Sequence, residues 1–199
     1  AGTGARPAAT PRRRRRDRVV NHRMPLVGRR IVVTRAADQA GALVELINER
    51  GGDPVVVPLV AVVPVASGLA ELRRWSPREA EWLVVTSPNA AEAYRSVHDG
   101  APAHVAAVGM STAAALRVRG IEVDLVPDTQ RAVALAHAMR DASPPSSALV
   151  VQSTDATPDL VDTLRAAGWS VTAIGTHRPV PVQPTGVMRR EALSEIGRA

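Results

Sequence analysis

Small hydroxyl residues follow β-branched runs at four places in this chain. Thr34-Arg35 follows Ile31-Val32-Val33, and Thr86-Ser87-Pro88-Asn89 follows the run that starts at Trp82. Gly109-Met110-Ser111-Thr112 and Gln152-Ser153-Thr154-Asp155 repeat the device after His104–Val108 and Ala148–Val151. A helix starting at such a corner presents free backbone N–H groups and the positive end of its dipole, so each corner suits an anion, a carboxylate included. Ser87 fits an N-cap and Pro88 the first helical position, and ordinary capping accounts for any one corner taken alone. Thr34, Arg35, Thr86, Ser87, Asn89, Gly109, Ser111, Thr112 and Ser153 become a binding site only if they converge on one cleft. His177 stands apart from these corners because it precedes Arg178 in a proline-spaced stretch. An imidazole there could donate a proton near pH 7, with a plain linker role as the alternative.

Much other chemistry is excluded by composition. The 199 residues contain no Cys and no Phe, and all 25 basic residues are Arg. Thiolate catalysis and cysteine-ligated metal are therefore impossible, and a phosphate-binding P-loop lacks its lysine. No Gly-x-Gly-x-x-Gly follows a strand, and no pair of His or acidic residues at i, i+4 forms a metal face. His22, His98, His104 and His137 have no partners in sequence and read as surface or helix-end residues. No apolar run approaches the roughly 20 residues that span a bilayer, and no signal-peptide apolar stretch is present. The expectation is a cytoplasmic protein that engages no membrane.

The formal charge of +6 invites a nucleic-acid reading until its location is considered. Residues 1–30 hold ten of the arginines and one acid, Asp17, while the remainder holds fifteen arginines against eighteen acids. The body is mildly acidic, and the basic character belongs to an arm over 1–25 whose Ala, Gly, Pro and Arg offer little to bury. Arg12 to Arg16 could touch a polyanion without reading sequence. The weightier alternative is a linker, or translated sequence ahead of a start at Met24. No groove-reading motif or stacking aromatic accompanies the arm, so no specific nucleic acid is expected as a partner.

The elements that would position these residues are strands and helices in alternation. Short runs rich in apolar residues at Ile31–Thr34, Pro54–Pro58, Trp82–Thr86, His104–Val108, Glu122–Val126, Ala148–Gln152 and Trp169–Ile174 read as strands, most of them buried. Ala36–Arg50 carries Ala40, Leu43, Val44 and Ile47 at helical spacing and stops at Gly51-Gly52. Further helices are expected near Asn89–His98, Ser111–Arg119, Gln130–Asp141 and Pro158–Ala167. The fold class is α/β, built on doubly wound parallel sheets.

A strand, helix, glycine and strand recur at 31–57 and at 149–174, and each unit runs into a proline-spaced extended stretch, Pro58–Pro64 and His177–Val182. Two such crossings would join two α/β lobes by a two-stranded linker. The lobes are expected at 26–60 with 178–199, and at 61–177. The first would hold two strands and a last helix, Met188–Ile196. With no second copy of the Trp82–Met139 pattern, that lobe is expected to be incomplete and the chain to stop mid-domain.

Several of these segments resemble the uroporphyrinogen-III synthase family in order. Gly28-Arg29-Arg30-Ile31-Val32-Val33-Thr34-Arg35 resembles its opening strand, as does the run from Gly51-Gly52 to Val57-Pro58-Leu59. Trp82-Leu83-Val84-Val85-Thr86-Ser87-Pro88-Asn89-Ala90 is similar to the family's Thr-Ser-Pro-Asn-Ala-Val segment, with Ala91 where valine is usual. Val105 to Gly109, Thr112 to Leu116 and Gly120-Ile121 match a third segment. The likeness runs in register from about Leu26 to Pro181. It implies two lobes around a cleft and no cofactor, while nothing in the sequence itself demands a metal or more than a monomer. The implied reaction closes hydroxymethylbilane, a linear tetrapyrrole, with inversion of the last ring and loss of water. His177 falls where the family commonly has a tyrosine thought to help the hydroxyl depart, so the resemblance makes His177 the catalytic residue here. A non-catalytic two-lobe binder of a small anionic ligand is the alternative.

Overall fold

The structure, a computed structural model, describes residues 24–186, 188 and 190. Residues 1–23 of the basic arm and most of the expected helix Met188–Ile196 lie outside these; Met188 and Arg190 themselves are helical.

The chain folds as β1 (Arg30–Val33), α1 (Gly41–Glu49), β2 (Asp53–Val56), β3 (Val60–Pro64), α2 (Ala66–Arg74), β4 (Trp82–Val85) and α3 (Pro88–Arg95). It continues as β5 (His104–Ala107), α4 (Met110–Arg117), α5 (Ala132–Ala142), β6 (Ser147–Ser153), α6 (Asp159–Ala166) and β7 (Ser170–Pro181). Two sheets result. β1 and β2 pair in parallel by themselves, and the second sheet has the order β3-β7-β6-β4-β5, parallel except where β3 joins.

Strand β4 explains why the larger sheet is doubly wound. All four of its residues are buried, so each face must be covered. Leu83 and Val85 pack with α2, α3 and α4 through Leu72, Tyr94 and Leu116. Trp82 and Val84 pack with α5 and α6 through Leu135, Met139, Leu160 and Leu164. Each aliphatic side chain so buried contributes about 1.5–3 kcal/mol. The smaller sheet has a core of only Val33, Ala40 and Ile47, with Leu26, Ile31, Val44 and Val56 beside it. Gly51, at φ +77, ends α1 in the left-handed region, and its N–H donates to the Asn48 carbonyl at 2.8 Å.

Several sequence expectations are corrected. Glu122–Val126 is not a strand: it touches β5 through one parallel bridge, Ala106 to Leu125. The Asp124 carboxylate accepts the Val105 N–H at 2.8 Å, so a side chain takes the place of a ladder partner and pairing goes no further. Ala36–Arg50 is a 3-10 turn at Ala37–Gln39 followed by α1, not one helix. Helix α2 was not expected at all. Its Gly68 packs so closely on β7 that an added Cβ would collide with the Gly175 carbonyl oxygen. The expected strand at Trp169–Ile174 and the extended stretch beyond it form one twelve-residue strand, β7. Its first half pairs in parallel with β6, and its second half runs antiparallel to β3.

Candidate functional site

The sheet order sets the corners side by side. Gly109 after β5, Thr86-Ser87 after β4, Ser153 at the end of β6 and Thr176-His177 within β7 lie along one edge of the larger sheet. Neighbouring strands are about 4.8 Å apart, so adjacent corners are within side-chain reach.

A β-bulge brings two consecutive residues of β7 inward. Pairing with β6 runs in register to Gln152 with Gly175 and then steps to Ser153 with His177, which leaves Thr176 as the extra residue. In a regular strand neighbours point to opposite faces, yet here Thr176 Oγ1 lies 3.1 Å from His177 Nδ1, and both residues are buried. Backbone bonds pin the bulge on both sides. The Val65 N–H donates to the Thr176 carbonyl at 2.8 Å, and the Thr154 N–H to the His177 carbonyl at 2.9 Å.

A continuous chain of hydrogen bonds runs through the imidazole. Ser87 caps α3 from an extended backbone, and its Oγ accepts the Ala90 N–H at 3.1 Å. Pro88, at the first helical position, has no N–H to leave unpaired. Ser87 Oγ lies 3.2 Å from His177 Nε2, and His177 Nδ1 lies 3.1 Å from Thr176 Oγ1. Thr176 Oγ1 donates in turn to the Gln152 carbonyl at 3.4 Å. Burial lowers the His177 pKa below its ordinary value, which favours the neutral ring.

A cavity of about 310 Å³ opens beside this chain. Val62, Pro64, Leu69 and Ala93 give it apolar walls, while Asp38, Asn89, Glu92, Ser96, Thr176 and His177 supply its polar groups. Asp38 comes from the 3-10 turn after β1, and its neighbour Gln39 donates through Nε2 to Asn89 Oδ1 at 2.8 Å. That bond ties the turn after β1 to α3. The Glu92 carboxylate accepts from Arg119 at 3.0 Å. The cavity thus combines apolar walls with carboxylates and a neutral imidazole. It suits an aromatic ring carrying N–H groups or positive charge better than a carboxylate.

Of the residues expected from sequence, Asn89 and His177 line this cavity, and Ser87 reaches it through the imidazole. Thr86 turns its hydroxyl back to the Val151 carbonyl at 3.4 Å. Ser153 Oγ accepts the Asp155 N–H at 3.2 Å. Thr112 is buried at 1% exposure, and Ser111 is exposed on the first turn of α4. Gly109 precedes α4, whose Met110 N–H is already taken by Gln130 Oε1 at 3.1 Å. Thr34 and Arg35 are exposed beyond β1. Among the described residues Arg35, Arg131 and Arg178 are exposed and make no ion pair. Sequence reasoning missed Thr176, Asp38, Gln39 and Glu92. Thr176 would ordinarily point away from His177, and the acids show no spacing that marks them.

Comparison with known proteins gives a common result. A family model described as uroporphyrinogen-III synthase HemD matches residues 41–197. The porphyrin biosynthesis protein HemD of Ruminiclostridium josui is 31% identical over 153 residues, 71% of this chain and 30% of that protein. The uroporphyrinogen-III synthase of Synechococcus elongatus is 27% identical over 118 residues, 52% of this chain and 42% of its own length. A mutant uroporphyrinogen III synthase from the extremely thermophilic bacterium Thermus thermophilus superposes with a TM-score of 0.52 at 17% identity, covering 77% of this chain and 64% of that one. That likeness concerns the fold. The chain spans less than half the length of either curated relative.

Proposed function

Because the chain belongs to the uroporphyrinogen-III synthase family, we propose that it closes hydroxymethylbilane to the type III macrocycle. In that reaction the hydroxymethyl C–O bond breaks and a carbon–carbon bond forms at the substituted carbon of the last ring. The strained spiro product then reopens and closes with that ring inverted. Hydroxide and one ring proton leave, together one water. The observation that carries the reading is the convergence of Asp38, Asn89 and His177 on one cavity beside Ser87. Its volume lies at the low end for ligand pockets, enough for one end of a linear tetrapyrrole.

Departure of hydroxide leaves a cationic azafulvene that cyclises readily by itself, so the protein's task is to choose the carbon that is attacked. Apolar walls would hold the last ring in place, the advantage that any fixed near-attack geometry confers. Asp38 would face the developing cation as fixed negative charge, Glu92 being paired with Arg119. Exposed Arg178, the neighbour of His177 in β7, would meet a carboxylate of the substrate outside. His177 would touch the reacting ring through its exposed edge. The reading divides the chain into lobes at 26–60 with 178–199 and at 61–177, and has it work as a cytoplasmic monomer without a cofactor. Among the described residues no helix is long and apolar enough to cross a membrane.

The test is to give this chain hydroxymethylbilane and separate the product isomers. Accelerated closure to the type III isomer supports the reading. The type I isomer alone, which forms without any protein, refutes it. One observation favours the second reading, a binder without turnover: the buried, neutral imidazole is a poor proton donor. Tight binding of the tetrapyrrole with unchanged closure rate would establish that alternative.

A further inference from the structure

We infer that Thr176 is a positioning residue. By accepting the Nδ1 proton of His177 it leaves Nε2 as a bare acceptor aimed at Ser87, and so makes the imidazole a proton acceptor rather than a donor. The chemical use of that arrangement rests on the function proposed above; the arrangement itself does not.

Counting hydrogens along the chain gives the direction. Ser87 Oγ accepts from the Ala90 N–H and has one proton of its own to place. Nε2 of His177, at 3.2 Å, is the acceptor within reach. A neutral imidazole accepting at Nε2 must carry its proton on Nδ1, where Thr176 Oγ1 stands at 3.1 Å. Thr176 then places its own proton on the Gln152 carbonyl, which can only accept. Every donor along the path has a partner. The opposite tautomer would have Nε2–H donate to Ser87 and the Thr176 hydroxyl donate to Nδ1. It strands the Ser87 proton and leaves the Gln152 carbonyl without this donor. The positive end of α3 at Ser87 also favours a lone pair, not an N–H, on the facing nitrogen.

The bulge is what makes this possible. Without the extra residue, Thr176 and His177 would project from opposite faces of β7, and Nδ1 would have no hydroxyl beside it. The arrangement reverses the proton-donor role expected for His177 from sequence. In the closure reaction it fits the last step. The ring carbon that forms the final bond gives up its hydrogen as a proton, and His177, which lines the cavity, accepts it at Nε2, the nitrogen that carries no proton in this tautomer. The imidazolium so formed returns the proton to water.

The experiment is a long-range nitrogen–proton NMR spectrum of the full chain labelled with 15N-histidine, the His177 signals being assigned by their loss in His177→Gln. The five histidines keep the spectrum simple. Wild type is expected as the Nδ1–H form, the one free histidine disfavours. An Nε2–H signal at His177 would overturn the inference by itself. Thr176→Val keeps the shape but removes the acceptor, and should shift the tautomer ratio toward Nε2–H by about tenfold, the worth of one hydrogen bond. Thr176→Ser should restore it. A Val variant with the wild-type ratio also overturns the inference. Should that variant fail to fold, the wild-type and Ser spectra still decide. With hydroxymethylbilane, Thr176→Val should lower kcat with KM little changed, and Ser should rescue it. An Nδ1–H spectrum with type I product alone would remove the proposed function and leave the role of Thr176 standing.

Discussion

Replacing Ser87 by Ala should show how much the Ser87–His177 contact contributes, because one hydroxyl serves two partners. It caps α3 by accepting the Ala90 N–H at 3.1 Å, and it meets His177 Nε2 at 3.2 Å. Loss of a serine N-cap costs about 1 kcal/mol. Loss of a hydrogen bond to a buried ring costs about another 1 kcal/mol. Ser87→Ala should therefore lower the stability by roughly 2 kcal/mol, a fall in Tm of about 4–8 °C for a chain of this size. Ser87→Thr keeps both bonds and should stay close to wild type. The two contributions separate in a double-mutant cycle with His177→Leu, followed by urea denaturation. A coupling of about 1 kcal/mol between positions 87 and 177 is expected. Coupling below about 0.3 kcal/mol would lie within the additivity of independent sites and refute the contact as an energetic one. Equal losses in Ser87→Ala and Ser87→Thr would refute the capping argument as well.

Other perturbations follow from the same structure. His177 has its pKa lowered by burial, so between that value and the ordinary value near 6.5 the unfolded chain binds the extra proton and the folded one does not. Its contribution to stability is therefore fully present above about pH 6.5 and falls as the pH drops below it. Urea titrations across pH 5–8 should show a shallower fall for His177→Gln than for wild type. Gly68→Ala places a methyl against the Gly175 carbonyl and the Thr176 Cα, both backbone. The clash, about 1–3 kcal/mol, outweighs a helix-propensity gain of about 1 kcal/mol, so a net loss in thermal unfolding is expected, with the His177 signals displaced. The β1–β2 pair has a core of three fully buried residues, while β4 is buried throughout. Hydrogen exchange should therefore find the amides of Ile31–Val33 opening far more readily than those of Leu83–Val85, and equal protection would refute that ordering.

The α/β class was legible because the signals were local and redundant. Four apolar residues in β4, a capping serine and a proline at the start of α3 each admit few other structures. The β-α-β repeat was legible for the same reason, and both copies form parallel pairs. Glu122–Val126 misled because its alternating apolar residues resemble a strand. Whether Asp124 would replace a ladder bond depends on a contact that composition does not carry. Helix α2 was hidden by Gly68, a residue that weakens helices locally and is needed for tertiary contact with β7. Boundaries slipped by two or three residues at several helix ends, where fraying and caps compete.

The candidate site was legible in its parts but not in its wiring, and the bulge at Thr176 shows why. From sequence, His177 is a lone imidazole next to an arginine, and its neighbour Thr176 belongs on the other face of the strand. A one-residue step in pairing between β6 and β7 overturns that, putting hydroxyl, imidazole and cap hydroxyl in a line with one consistent direction for their protons. The same step changes what the histidine can do. A solvent-exposed imidazole titrates near neutrality and donates readily; a buried one whose Nδ1 proton is held by Thr176 offers a lone pair instead. Register, which no residue type encodes alone, therefore decides the sign of the proton transfer that this side chain can support. A residue's type sets the chemistry available to it, and the pairing two strands away selects which half of that chemistry is used.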